Sequence, residues 1–269
     1  MKFNLSIAAC LVSLVIFLAL PLSSALGVNG ATLVASVTTG ETIHHEMLVT
    51  LGKSDTSMDL VVDLAGMNQT LSGTYLSVKK EDDVGPYSAR PFLNVSPTSF
   101  HLDSGGSQKV ILEGIVPEKV GDGGRYALVT FKSAPLGNKS VGVLTEIQVP
   151  VALTISGSKL AKTGEITSLK VDEPTLAKEQ NLTLVFKNTG NIHYRTVAEA
   201  VLKDKDGKIL ANATSRSGSS INPSSSRLAK LMLIPSSVLK SGVYEVSAQV
   251  KLDDGTVLAT KEVKFEIKQ

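Results

Sequence analysis

The sequence predicts an all-β chain built as two β-sandwiches in tandem behind a short apolar leader. Three observations carry that reading. Past the leader no long segment repeats its apolar residues with a helical period. Short runs that alternate apolar and polar residues recur throughout, each bounded by Gly, Pro, Asn or Asp. One small, polar stretch without alternation, "SGSKLAKTGE", divides the strand-rich chain near its middle.

Residues 1–25 read as a secretory signal peptide. Lys2 supplies an early positive charge, an apolar run extends from Ile7 to Leu22, and Ser23-Ser24-Ala25 provides a small-residue exit, with cleavage expected after Ala25. The alternative is an uncleaved anchor, since the run approaches the roughly 20 apolar residues that span a bilayer. "IAAC" places Cys10 ahead of most of the apolar run, whereas a lipidated cysteine would follow it. Cys10 is the only cysteine, so the exported chain would form no internal disulfide and must hold by core burial.

Residues 28–155 contain enough strand signals for one sandwich: "TIHHEMLVTL", "MDLVVDL", "GTYLSVKK", "SQKVILEGIV", "GRYALVTF" and "LTEIQVPVALTI". Residues 156–165 are the expected linker. Residues 166–269 form the second unit. There "YEVSAQVKL" puts Tyr244, Val246, Ala248, Val250 and Leu252 on one face, and Asp253-Asp254-Gly255 turns the chain into a final strand through Val257, Val263, Phe265 and Ile267. In "LVFKNTGNIHYRTVAEAVLKDKDGKIL", Asn188 to Asn191 are expected to turn with Gly190 at positive φ, strand resumes at Ile192, and Asp206-Gly207 makes a hairpin.

The two halves share an order of Pro, polar turn, apolar strand, Pro, then Gly-x-Tyr and strand, which places Tyr126 and Tyr244 alike. Either tyrosine has the setting for a corner hydrogen bond of the immunoglobulin-sandwich kind, so the predicted units are immunoglobulin-like in the wide sense. "TIHHEMLVTLGKSDTSMDLVVDLAGM", "FLNVSPTSFHLDSGGSQKVILEGIVPE" and "DGGRYALVTF" resemble the first domain of WxL-interacting surface proteins and, more loosely, that of periplasmic pilus chaperones. "LTLVFKNTGNIHYRTVAEAVLKDKDGKIL" and "INPSSSRLAKLMLIPSSVLKSGVYEVSAQVKLDDG" are similar to the second domain of the same surface proteins and to cell-adhesion-related immunoglobulin-like modules. WxL-interacting proteins end in a membrane helix with a basic tail, whereas this sequence closes on "KFEIKQ". Pilus chaperones grip a client carboxylate with basic residues, yet Val28 to Leu51 contains neither Arg nor Lys, so no anchoring residue transfers.

The sequence points to no catalytic, cofactor-binding or metal site. His193 and Tyr194, read as strand neighbours, would face opposite ways. "KDKDGKIL" lacks the sixth-position Gly and twelfth-position Glu of an EF-hand. His44-His45-Glu46 lacks the His-Glu-x-x-His spacing of zinc proteases, although His44 has the register freedom to meet His101 across a sheet. No Gly-x-Ser-x-Gly elbow or phosphate loop occurs, and "VGDGGRY" precedes a strand rather than a helix. "SRSGSSINPSSSR" reads as a solvated loop with two arginines, Arg216 and Arg227.

Five sequons offer candidate N-glycosylation sites: Asn68, Asn94, Asn138, Asn181 and Asn212. Their bland explanation is Asn, Ser and Thr collecting in turns. A formal charge of +2 gives no reason to expect nucleic acid, or any membrane contact except through an uncleaved leader. The expectation is therefore a non-enzymatic exported binding or structural module, at the cell surface, in the envelope or outside the cell. Its partner would be a surface protein or envelope polymer. The alternative is a periplasmic-chaperone-like assembly factor that completes a client's sheet edge, for which Lys53 or Arg125 pointing into a cleft between the domains would be the mark.

Overall fold

The computed structural model describes residues 26–133, 145–174, 176 and 179–268. In chain order the first strands are β1 (Gly27–Asn29), β2 (Leu33–Val37), β3 (Thr42–Thr50), β4 (Met58–Gln69), β5 (Tyr75–Val78), β6 (Leu93–Ser96), β7 (Ser99–Leu102), β8 (Ser107–Ile115), β9 (Gly124–Ser133) and β10 (Glu146–Ile155). After them come β11 (Gly164–Asp172), β12 (Gln180–Asn188), β13 (Val197–Lys203), β14 (Ile209–Arg216), β15 (Ser226–Leu233), β16 (Gly242–Lys251) and β17 (Val257–Ile267).

These strands make two sandwiches. The first packs a β1-β3-β8-β6 sheet against a sheet ordered β2-β10-β9-β4, whose β4 pairs β7 and β5 at different stretches of its far edge. The second packs β11-β12-β15 against β14-β13-β16-β17. Each has its own core, one around Met47, Leu112 and Phe131, the other around Leu184, Phe186 and Ile221. Inward residues follow the period-2 rule. On β3, Ile43, Met47 and Val49 are buried while His44, Glu46 and Leu48 are exposed; on β16 the buried set is Tyr244, Val246, Ala248 and Val250.

Strand β9 departs from alternation, being buried on both faces from Gly124 to Phe131. Gln148 of β10 reaches Ser77 of β5 at 3.2 Å across β9, so β5 lies over the outer face and covers Leu128 and Thr130. Where β4 diverges from β9, Tyr87 to Ala89 takes its place: Tyr126 N donates to Tyr87 O and Ala89 N to Tyr126 O, both at 2.8 Å.

Three local expectations are corrected. Strand resumes at Val197 rather than Ile192, and Tyr194 makes only a bridge to Ile221. Gly190 is not at positive φ; a Cβ there would lie 2.1 Å from Ala161 O, so close backbone approach is what requires glycine. Strand β11 begins at Gly164, inside the stretch read as linker, because Gly164 slips beneath the Phe186 ring, 2.0 Å from where a Cβ would sit. The leader, Cys10 and Asn138 lie outside the described residues, among which no helix is long and apolar enough to cross a membrane.

Phe186 is fully enclosed in the second core, so Phe186→Ala should cost about 3–5 kcal/mol in urea unfolding followed by far-UV circular dichroism. Hydrogen exchange should rise through β11 to β17 while the β9 and β10 amides, over a separate core, keep their protection.

Candidate functional site: an open strand edge and the joint behind it

The first strand of the first sandwich is divided between its two sheets. Gly27 to Asn29 pair with Leu48 to Thr50 of β3, the chain crosses at Gly30 to Thr32, and Leu33 to Val37 then pair in parallel with Val151 to Ile155 of β10. Gly30 makes the crossing possible: its φ is +75°, and a Cβ would meet Glu46 O at 2.6 Å. His45 Nε2 lies 2.8 Å from the Gly30 carbonyl oxygen and pins the turn.

The crossing uncovers half of β10. Residues that would have continued along Glu146 to Pro150 are spent on the opposite sheet, so that half is paired with β9 on one side and with no described strand on the other. Pro150 stands at the boundary, and proline is tolerated in strands where no ladder donor is needed. Val149 is buried and Ile147, Leu26 and Val28 are half-buried against the core, while Glu146 and Gln148 face outward and bond each other at 3.0 Å. An open main chain flanked by half-buried apolar side chains has the composition of a strand-addition edge.

At the other end of β9 the sandwiches meet. Tyr126 OH accepts from His193 N at 2.9 Å and lies 3.0 Å from His193 Nδ1, a second bond whose direction follows the tautomer of the ring. Gly124 N donates to Asn191 O at 2.7 Å. Gly123, at φ +92°, is needed because a Cβ would meet Asn191 O at 2.1 Å. Burial, with Lys162 nearby, holds His193 below its ordinary pKa, and burial raises that of Tyr126. Tyr244 instead makes the local corner: its hydroxyl donates to Lys240 O at 2.9 Å and accepts from Lys240 N at 3.1 Å.

A second tie is the β4–β5 hairpin, which leaves the first sandwich as an arm. Gln69 donates to Ser220 O at 3.0 Å and accepts from Asn222 N at 2.9 Å, Leu228 N donates to Leu71 O at 2.9 Å, and Arg227 Nη1 donates to Ser72 O at 3.0 Å. Gly73 at the tip admits the guanidinium, which would lie 1.6 Å from a Cβ.

The residues singled out in the sequence are not gathered. His44 lies near Glu46 (3.7 Å) on β3, whereas His101 bonds Asp59 at 2.8 Å in the other sheet, so the two histidines do not meet. Among the described residues no group of three or more His, Cys, Asp or Glu is placed to hold a metal. Asp206-Gly207 turns the β13–β14 hairpin, with Asp204 Oδ1 accepting from the amides of Asp206 and Lys208. Neither expected basic mark faces a cleft. Arg125 is buried and donates to the carbonyls of Val120, Asp122 and Gly124, while Lys53 packs at the Gly105 turn. Asn68, Asn94, Asn181 and Asn212 are exposed and sit on strands β4, β6, β12 and β14 rather than in turns.

Sequence reasoning missed two features that left a trace. Pro150, inside a run read as an ordinary strand, is the sign of an unpaired edge. Counting back by twos from Leu233, Leu231 and Ala229 places Arg227 on the core face of β15; it is 7% exposed, not part of a solvated loop.

No family model and no curated protein matches the sequence. Among solved structures, the chain is similar to one from a chaperone–tip adhesin complex of CFA/I fimbriae biogenesis, at 11% identity and a TM-score of 0.44, covering 90% of this chain and 98% of that one. It is similar to the Pseudomonas aeruginosa CupB2 chaperone at 13% identity and TM-score 0.38, over 88% and 98%. The E. coli chaperone DraB gives 14% and 0.39, over 91% and 98%. All three are loose likenesses, from which no site residue is carried over.

Tyr126→Phe removes the acceptor of a part-buried His193 amide and should cost about 1–3 kcal/mol in urea unfolding. Because His193 binds a proton less readily folded than unfolded, the unfolded chain takes up more protons below about pH 6.5, and stability should fall as pH is lowered through that value. His193→Gln should flatten this dependence; exposed His101, raised by Asp59, acts with the opposite sign and remains in both proteins.

Proposed function

We propose that the chain is a non-enzymatic, exported protein-binding module that adds an extended segment of a partner protein to the open half of β10. The observation that carries this is the uncovered edge at Glu146 to Pro150, created by the crossing at Gly30. Main-chain hydrogen bonds along such an edge supply affinity, and alternate side chains of the added strand, falling toward Ile147, Val28 and Leu26, supply selectivity. A peptide backbone repeats its donors and acceptors at the spacing of that edge and a saccharide polymer does not, which favours a protein partner over an envelope polymer. The same feature favours an assembly factor that lends its edge to a client subunit over a passive surface spacer. Export rests on the leader, and the non-enzymatic character on the separation of the histidines described above.

The partner should co-isolate with tagged protein from its own exported fraction, and hydrogen exchange in that complex should slow at Glu146 and Gln148, whose amides face away from β9. Gln148→Pro, checked by circular dichroism to be folded, should release the partner. Retention by that variant, or protection confined to another edge, would refute the reading.

A further inference from the structure

Asn29-Gly30 is the one Asn-Gly pair in the chain, and it stands where the first strand crosses between sheets. Such a pair can react with itself. The amide nitrogen of the second residue attacks the carboxamide carbon of the first, and a glycine, having no side chain, obstructs that attack least. Glycine is also what the crossing demands, since a Cβ on Gly30 would meet Glu46 O at 2.6 Å. The residue that lets one strand serve two sheets is therefore the one that makes its neighbour reactive.

Both reacting groups are accessible. Asn29 and Gly30 are exposed, and among the described residues no hydrogen bond occupies the Asn29 carboxamide or the Gly30 amide. Other asparagines are held: Asn188 Nδ2 donates to Ile192 O at 2.9 Å and to Ile221 O at 2.8 Å, and Asn191 Nδ2 to Lys159 O at 2.8 Å. What restrains Asn29 is its pairing with Leu48, because the attack requires the peptide plane between residues 29 and 30 to rotate out of the extended form. That restraint is slight. Strand β1 has three residues, lies at the margin of its sheet and is seated by the half-buried side chains of Leu26 and Val28. Short marginal segments open at a small part of the free energy of global unfolding.

We propose that Asn29 is a site of spontaneous backbone modification whose isoaspartyl product releases β1 from β3. Gly30 N gives up its proton and bonds to Asn29 Cγ, the Cγ–Nδ2 bond breaks, and ammonia leaves behind a five-membered succinimide. Water then opens the ring. Opening at the former side-chain carbonyl leaves an aspartyl residue in the original chain. Opening at the former main-chain carbonyl leaves an isoaspartyl residue, whose chain runs through the side-chain methylene and is one atom longer. The peptide carbonyl that position 29 sets opposite Leu48 is then displaced, and a free carboxylate takes its place. Strand β1 has only two other residues to hold it, whereas β2 pairs with β10 at five positions, so β1 gives way. Leu51 N donates to Gly106 O on the β8 side, so by alternation the Leu48 and Thr50 amides face β1 and lose their partners. Strand β3 has no other described neighbour on that side, and its margin is left open along its length. None of this depends on how the edge of β10 is used.

The test is incubation of the full exported chain at mildly alkaline pH, sampled by peptide mass mapping and by methyl transfer from an isoaspartyl methyltransferase. The peptide that contains Asn29 should exchange NH2 for OH ahead of every other asparagine peptide and should become a methyl acceptor. Asn29→Gln, which would have to close a less favoured six-membered ring, should show neither change over the same period. Val28→Ala, which loosens the seat of β1, should convert faster than the parent, and the urea-unfolded chain faster still. In the converted protein the Leu48 and Thr50 amides should lose protection from hydrogen exchange while those of β9 keep theirs. Intact Asn29 in the folded chain, after the unfolded chain has fully converted, would overturn the proposal. So would isoaspartyl protein in which Leu48 and Thr50 exchange as slowly as before.

Discussion

The crossing at Gly30 is the constraint on which the first sandwich depends. A single strand must close two sheets, and it can do so only if the backbone passes within touching distance of Glu46 O in a conformation that side chains disfavour. The result closes the sandwich at β3 and at the lower half of β10 together. It also decides which stretch of main chain has no partner strand among the described residues, because residues used on one sheet are not available to the other. The architecture and its open edge therefore have one cause.

The joint shows how a shared plan is put to two uses. Tyr126 and Tyr244 each follow a Gly-x step into a strand, and each hydroxyl accepts from a backbone amide and bonds a second polar atom. Tyr244 does this with residue 240, inside its own sandwich. Tyr126 does it with His193, across the boundary, since Gly123 and Gly124 bring its strand against Asn191. With the arm from β4 holding β15 as well, the two sandwiches are tied at two separated points. Two points resist rotation that one would allow.

Much of the fold was legible in the sequence because burial follows period two wherever a strand has one wet face. The strand at Tyr244 and the Asp206-Gly207 hairpin are such cases. Legibility failed where tertiary contacts override local pattern. Nothing local reports that Gly190 lies against Ala161, or that β5 covers Leu128. The open edge was hidden for a different reason: alternation reports which face of a strand is dry and says nothing about which side of it has a neighbour. Arg227 was misread because the serines that precede it resemble a loop, although its register with Phe186 is set by the strand that follows.

Pro150 bears on a hazard common to every sheet with an unpaired margin, the growth of one chain upon another into an open-ended fibril. The arm covers Leu228 on β15, and β17 carries Lys261, Glu262, Lys264 and Glu266 along its margin. The uncovered part of β10 is protected otherwise: a residue without an amide hydrogen stands where it meets β2, so an added segment finds only a short run of donors before the ladder stops. A socket of that length accepts a strand end and denies the long, uninterrupted register on which polymerisation depends.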